Sequence, residues 1–240
     1  MPELKQTTLS PVTSTRSEKP TAVFDIEEAA GIAKLLHNVY FAYPSADFIN
    51  LLAQNEISKT WHMFADSEDY RLGVSHLSSY LKSWSEDKLT ELMLDYGDLY
   101  FGASMPLALP WGSCWLTEQR LLNDTSTHEL LRFYGDHGIE LQLDKNQPAD
   151  HIGIFLSVIS QLLTVMSDPT KESQHIESKQ VLTLLLSNHL LTWSEPFLQA
   201  SIDNAKTEFY RGMALLLKDL LNVLTTELNI LSAVHVKSRH

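Results

Sequence analysis

Beyond an opening stretch of about twenty residues, apolar side chains recur every three to four positions almost to the end of the chain, the repeat of helices that bury one face. Residues 25–42 (DIEEAAGIAKLLHNVYFA) set Ile26, Ala29, Ala30, Ala33, Leu36 and Tyr40 near one stripe behind an acidic first turn, and Pro44 ends the run. Shorter helices are predicted over 46–54 and 67–84. Over 86–101 (EDKLTELMLDYGDLYF), Leu89, Leu92, Met93, Tyr96, Leu99 and Tyr100 share a face, with acidic residues on the remainder. The loop GASMPLALP then leads into PWGSCWLTE at 110–118. Ser126 and Glu129 have the spacing of a capping box, and the helix they open can stop at Gly138. The segment NQPADHIGIFLSVISQLLTVM predicts another helix, with Pro148 in its first turn and Asp150 as an acid near its start. Helices over 172–190, 194–206 and 207–228 complete the set. No run alternates as a strand between turn signals, and no internal repeat is visible. The expectation is an all-α protein: a single globular multi-helix bundle over residues 23–240, behind a flexible Ser/Thr/Pro-rich tail at 1–22.

Composition narrows the classes of function. Only 9 of 240 residues are glycine, which disfavours a turn-rich β fold. Eighteen basic against thirty acidic residues give a formal charge of −12, so a nucleic acid is not expected as partner, since phosphate binding needs clustered Lys and Arg. Such a charge attracts a basic peptide, although it also serves plain solubility. One cysteine allows no internal disulfide, which points to the cytoplasm. The first residues carry no apolar core of a secretory signal, and the greasiest run, VLTLLLSNHLL, falls short of the ~20 residues of a membrane span.

Candidate chemistry is sparse. Gly112-Ser113-Cys114-Trp115 matches the start of the nucleophile helix of papain-like proteases, but no Gln lies just upstream, and Trp111 stands where that signature has a second Cys. A thiol-dependent enzyme using Cys114 stays an alternative reading. HExxH, CxxC, GxxxxGK[ST] and GxGxxG are all absent, so no metal or cofactor is expected, and a helical nucleotide-binding regulator is a weaker alternative. Two places admit both a structural and a functional reading. The aromatics between Tyr96 and Trp115 are either core packing or the lining of an apolar groove for a peptide. Asp150 and His151 are either a helix-start acid and a rim histidine, or a pair that holds the cationic group of a ligand.

Taken together, four stretches resemble the TorD/DmsD family of chaperones for molybdenum-containing oxidoreductases. They are Tyr96-Gly97-Asp98-Leu99-Tyr100-Phe101-Gly102, Leu109-Pro110-Trp111-Gly112-Ser113-Cys114-Trp115-Leu116, Ser126-Thr127 and Gln147-Pro148-Ala149-Asp150-His151-Ile152-Gly153, and HLLTWSEPFL at 189–198 is similar to the DmsD branch. Gln147, Leu109 and Thr192 depart from the family's usual Glu, Pro and Pro. The resemblance implies a non-enzymatic, all-helical cytoplasmic chaperone, monomeric or a domain-swapped dimer. Its implied partners are the twin-arginine signal peptide and the precursor of a molybdenum oxidoreductase, whose export it delays. It also implies a peptide-binding surface. Tyr96, Leu99, Tyr100, Pro110 and Trp111 would form it, with Ser113, Trp115, Gln147 and Pro148 beside them and Asp150 and His151 as the family's Asp-His pair. Cys114 falls where the family commonly has Val.

Overall fold

The computed structural model describes residues 24–102, 105–141 and 147–230, so the tail expected at 1–22 lies outside the described residues. Six of the helices begin where a side chain accepts from an otherwise unpaired first-turn amide. Asp25 accepts from Glu28 N at 3.1 Å at the head of α1 (Ile26–Phe41), and Ser45 from Phe48 N at α2 (Ala46–Gln54). A single helical turn, α3 (Ile57–Thr60), leads to α4 (Glu68–Lys82), which Ser67 caps by accepting from Tyr70 N at 2.9 Å. The run predicted over 86–101 is divided: a 3-10 turn at Glu86–Lys88 precedes α5 (Leu89–Leu99).

The second half holds α6 (Ser113–Leu116), α7 (Thr125–Asp136), α8 (Ile152–Ser167), α9 (Glu172–Leu185), α10 (Ser194–Asn204) and α11 (Glu208–Glu227). Among the described residues there is no strand, only one isolated antiparallel bridge between Trp111 and His151. No single described helix is long and apolar enough to cross a membrane.

Several expected details differ. Ser126 does not open α7; Asp124 caps it by accepting from Thr125 N at 2.7 Å, and Ser126 is already its second residue. Pro148 and Asp150 precede α8 rather than entering its first turn. Backbone pairing of residues 150–152 with 110–112 keeps that stretch extended until His151 caps the helix. The helix predicted over 172–190 widens at Leu186–Leu190 into a π-helical turn, with Leu191 N donating to Leu186 O at 2.9 Å.

α8 is the central helix, with Ile152 to Val158 buried except Ser157, and α1 lies along it. α9 also packs against it, while α11 pairs with α4 and α10. Asp95, buried on α5, anchors the start of α11 by accepting from Thr207 N at 2.8 Å and Thr207 Oγ1 at 2.6 Å. The α4–α11 contact depends on two glycines. A Cβ on Gly212 would stand 3.0 Å from both Gly73 O and Leu77 N, and one on Gly73 would stand 2.7 Å from Leu216 Cγ. Gly212→Ala is therefore expected to cost about 1–3 kcal/mol by forcing two backbones apart, read as a lower denaturation midpoint with helical content retained.

The cap of α8 makes stability depend on pH. His151 Nδ1 accepts from Gly153 N at 3.0 Å, which leaves the ring proton on Nε2. Burial, aided by nearby His37, pulls its pKa from 6.5 down to about 3. The unfolded chain therefore takes up this proton first as pH falls. Stability from this group is complete above about 6.5 and is lost toward about 3. His151→Asn keeps an acceptor at the cap and removes the proton site. Between about pH 7 and pH 5 the unaltered protein should lose on the order of 1–2 kcal/mol more than this variant, measured as urea midpoints.

Candidate functional site

The site grows from the chain that leaves α5. Leu107 N donates to Asp98 O at 3.0 Å and Ala108 N to Leu99 O at 2.8 Å, folding the loop back along the helix end. Trp115 Nε1 donates to Leu109 O at 2.7 Å and closes the next turn. Buried Pro110 then starts a short antiparallel ladder: Ile152 N donates to Pro110 O at 2.8 Å and Gly112 N to Asp150 O at 3.0 Å. These bonds satisfy backbone groups in a segment too buried to rely on water.

Along an extended segment, neighbouring side chains turn to opposite sides, and Asp150 and His151 accordingly have separate surroundings. His151 packs against Trp111, with ring centres 5.4 Å apart, and edge-on against Phe41, also at 5.4 Å. Phe41 in turn stacks on His37, whose Nδ1 donates to Gly153 O at 2.7 Å. Exposed apolar rings continue from there. Phe41 is 41% exposed, Tyr43 47% and Phe101 60%, and the Tyr43 hydroxyl donates to Phe101 O at 2.9 Å. A hollow of about 200 Å³ opens beside Tyr43, bordered by Val39, Pro44 and Phe48.

Asp150 faces elsewhere. Its Oδ2 accepts from Ser113 N at 2.7 Å, while Oδ1 is buried without a partner among the described residues. It borders a second hollow of about 140 Å³ between α6, α7 and the π-helical turn. Phe155 and Trp193 form its aromatic wall, 5.9 Å apart, and Ser113, Ser126, Glu129 and His189 lie around it. Gly112 is required here, because a Cβ would stand 2.6 Å from Trp193 Nε1.

The expected site residues thus divide. The ladder brings Pro110, Trp111, Ser113, Asp150 and His151 together, with Trp115 one helical turn on. Gln147 and Pro148 are half-buried just upstream. Tyr96, Leu99 and Tyr100 lie in the interior, 4%, 0% and 0% exposed, in an aromatic cluster with Tyr40, Phe197 and Tyr210. Tyr96 OH donates there to Tyr40 O at 3.0 Å. They present no face to solvent; Tyr96 packs beneath the exposed Tyr43 ring, with centres 4.7 Å apart. Nor do Asp150 and His151 act as a charged couple, since His151 is neutral and bonded to Gly153. Periodicity missed Phe41, Tyr43 and Phe101, which lie at or just beyond the ends of α1 and α5, although Phe101 falls within the motif stretch 96–102. Cys114 is buried and its thiol is pushed up to about 11, by burial first and by the charge of Asp150 second. That is the opposite of an activated thiolate. Among the described residues no group of three His, Cys, Asp or Glu is placed to hold a metal ion.

Comparison with known proteins adds a lineage. Residues 65–199 match the model of the nitrate reductase delta subunit family. The Tat proofreading chaperone DmsD of Salmonella typhi is 26% identical over 197 residues, 80% of this chain and 87% of the relative. The chaperone protein TorD of Vibrio cholerae is 27% identical over 173 residues, 71% of this chain and 78% of the relative. A solved structure described as a putative redox enzyme maturation protein from Archaeoglobus fulgidus superposes with a TM-score of 0.49 at 16% identity, covering 85% of this chain and 99% of that one. The named relatives are of the kind that the motif resemblance implies. With more than half of its length matched by the family model, the chain belongs to the nitrate reductase delta subunit family.

Proposed function

We propose that this protein is a cytoplasmic chaperone of molybdoenzyme assembly. It binds the twin-arginine signal peptide of an oxidoreductase precursor, or the apo-form itself, and delays export until maturation is complete. Relatives named as Tat proofreading and TorD chaperones support the class. The observation that carries the site is the row of exposed rings, Phe41, Tyr43 and Phe101, continuing from the Trp111–His151 pair. Adjacent exposed aromatics of this kind mark an interaction surface, and rings offer wide contact with few torsions to freeze.

The apolar stretch of a leader would lie across these rings. Covering about 400 Å² of apolar surface gives on the order of 10 kcal/mol gross, most of it offset by ordering the peptide and losing its rigid-body freedom. The net charge of −12 favours the basic end of the leader, chiefly in the rate of encounter. No catalytic step is involved.

Calorimetry with a synthetic twin-arginine leader tests this reading. The double variant Tyr43→Ser, Phe101→Ser gives up the Tyr43 hydroxyl bond to Phe101 O and the contact of Tyr43 with Tyr96, so its unfolding midpoint should fall modestly with helical content retained, while affinity falls about tenfold or more. Binding to the unaltered protein should also weaken as salt rises. Undiminished affinity in the double variant would remove the ring surface from consideration, and no heat with any leader from the host would remove the function.

A further inference from the structure

We propose that an apolar groove where the start of α1 meets the ends of α8 and α11 is the seat of residues 231–236 of this same chain, with Val234 and Val236 filling it. Residues 231–240, LSAVHVKSRH, lie outside the described residues. The inference is independent of the leader-binding reading, because the groove and the hollow beside Tyr43 share no residue.

The groove measures about 260 Å³. Phe24 and Ile26 at the start of α1, Leu163 and Met166 on α8, and Leu224 and Leu228 on α11 wall it. Leu163 and Leu224 are buried, whereas Phe24, Ile26, Met166 and Leu228 still meet solvent. Four large apolar side chains thus border one incompletely covered hollow, the kind of surface that a further apolar segment covers. The charges at its edge are Lys179 and Glu227, both exposed. Size limits the occupant. A cavity of ~150 Å³ accepts one benzene ring, so this one takes about two aliphatic side chains and not the face of a helix.

The end of α11 supplies that occupant. Asn229 takes a left-handed φ of 53°; its N donates to Thr226 O at 3.1 Å, and Ile230 N donates to Thr225 O at 2.9 Å. This pair of bonds turns a chain back on its own helix and sets the next apolar residue against it. Ile230 is accordingly half-buried on the core. Leu231 follows only three positions after Leu228 of the groove wall, and three residues reach at most about 10 Å. Val234 and Val236 stand two apart, so an extended chain presents both to the same side. Lys237 and Arg239 come next, with no acid among residues 231–240, and Glu227 at the groove edge and the net charge of −12 both favour them. The chain before Phe24 suits the groove less: residues 13–22, TSTRSEKPTA, hold no branched aliphatic or aromatic side chain. So short a tether keeps the local concentration of the segment high, and a modest contact is enough to hold it.

The test uses the full chain with carbon-13 in its Met, Leu and Val methyl groups. Nuclear Overhauser cross-peaks are expected between the Met166 methyl and those of Val234 and Val236. A sample that mixes Met-labelled with Val-labelled chains should show none, because the contact lies within one molecule. In the double variant Val234→Ser, Val236→Ser, the Met166 methyl should shift and the unfolding midpoint should fall by about 3–6 °C, with helical content retained. Coil-like shifts of Val234 and Val236 without cross-peaks to Met166, or a midpoint unmoved in the variant, would overturn the docking. Cross-peaks that survive in the mixed sample would assign the groove to a second copy. Cross-peaks from Met166 to Val12 or Val23 instead would assign it to the chain before Phe24, and either result overturns the proposal.

Discussion

Two backbone hydrogen bonds between residues 110–112 and 150–152 are the constraint from which the rest follows. They join the loop after α5 to the head of α8, a largely buried helix that lies along α1, and so decide where α8 begins. They also let an irregular stretch of chain run through the interior without abandoning its polar groups. Asp150 reinforces the join by accepting from Ser113 N, one bond beyond the ladder.

Because the ladder is extended, its alternation sorts side chains by side. Trp111 and His151 go toward the exposed rings at the ends of α1 and α5; Asp150 goes toward α7 and Trp193. One short element therefore serves an apolar surface and a polar hollow at once. The aromatic cluster of Tyr40, Tyr96, Tyr100 and Tyr210 lies behind the ring surface and supports it, while itself buried.

Much of this was legible in the chain. The 3.6-residue repeat places α1, α4 and α11 within a few residues, because their apolar stripes are clear and their caps local. The motif resemblance singled out Trp111, Ser113, Asp150 and His151, which the ladder does bring together. What could not be read is long-range. Asp150 meets Ser113 across 37 positions, so a local rule assigned it to a helix start. A stripe such as Tyr96, Leu99 and Tyr100 looks the same in a string whether it faces a groove or the core. Phe41 and Phe101 are exposed because their helices stop there, and nothing in periodicity records the far side of a helix end.

The π-helical turn at Leu186–Leu190 holds one more residue than an ordinary turn would. Loss of a single residue there would restore regular winding and leave the chain beyond it in nearly the same phase, because the wide turn absorbs the extra residue within itself. The turn is therefore a place where the chain can gain or lose a residue cheaply, whereas the same change inside α8 would swing every later side chain by about 100°.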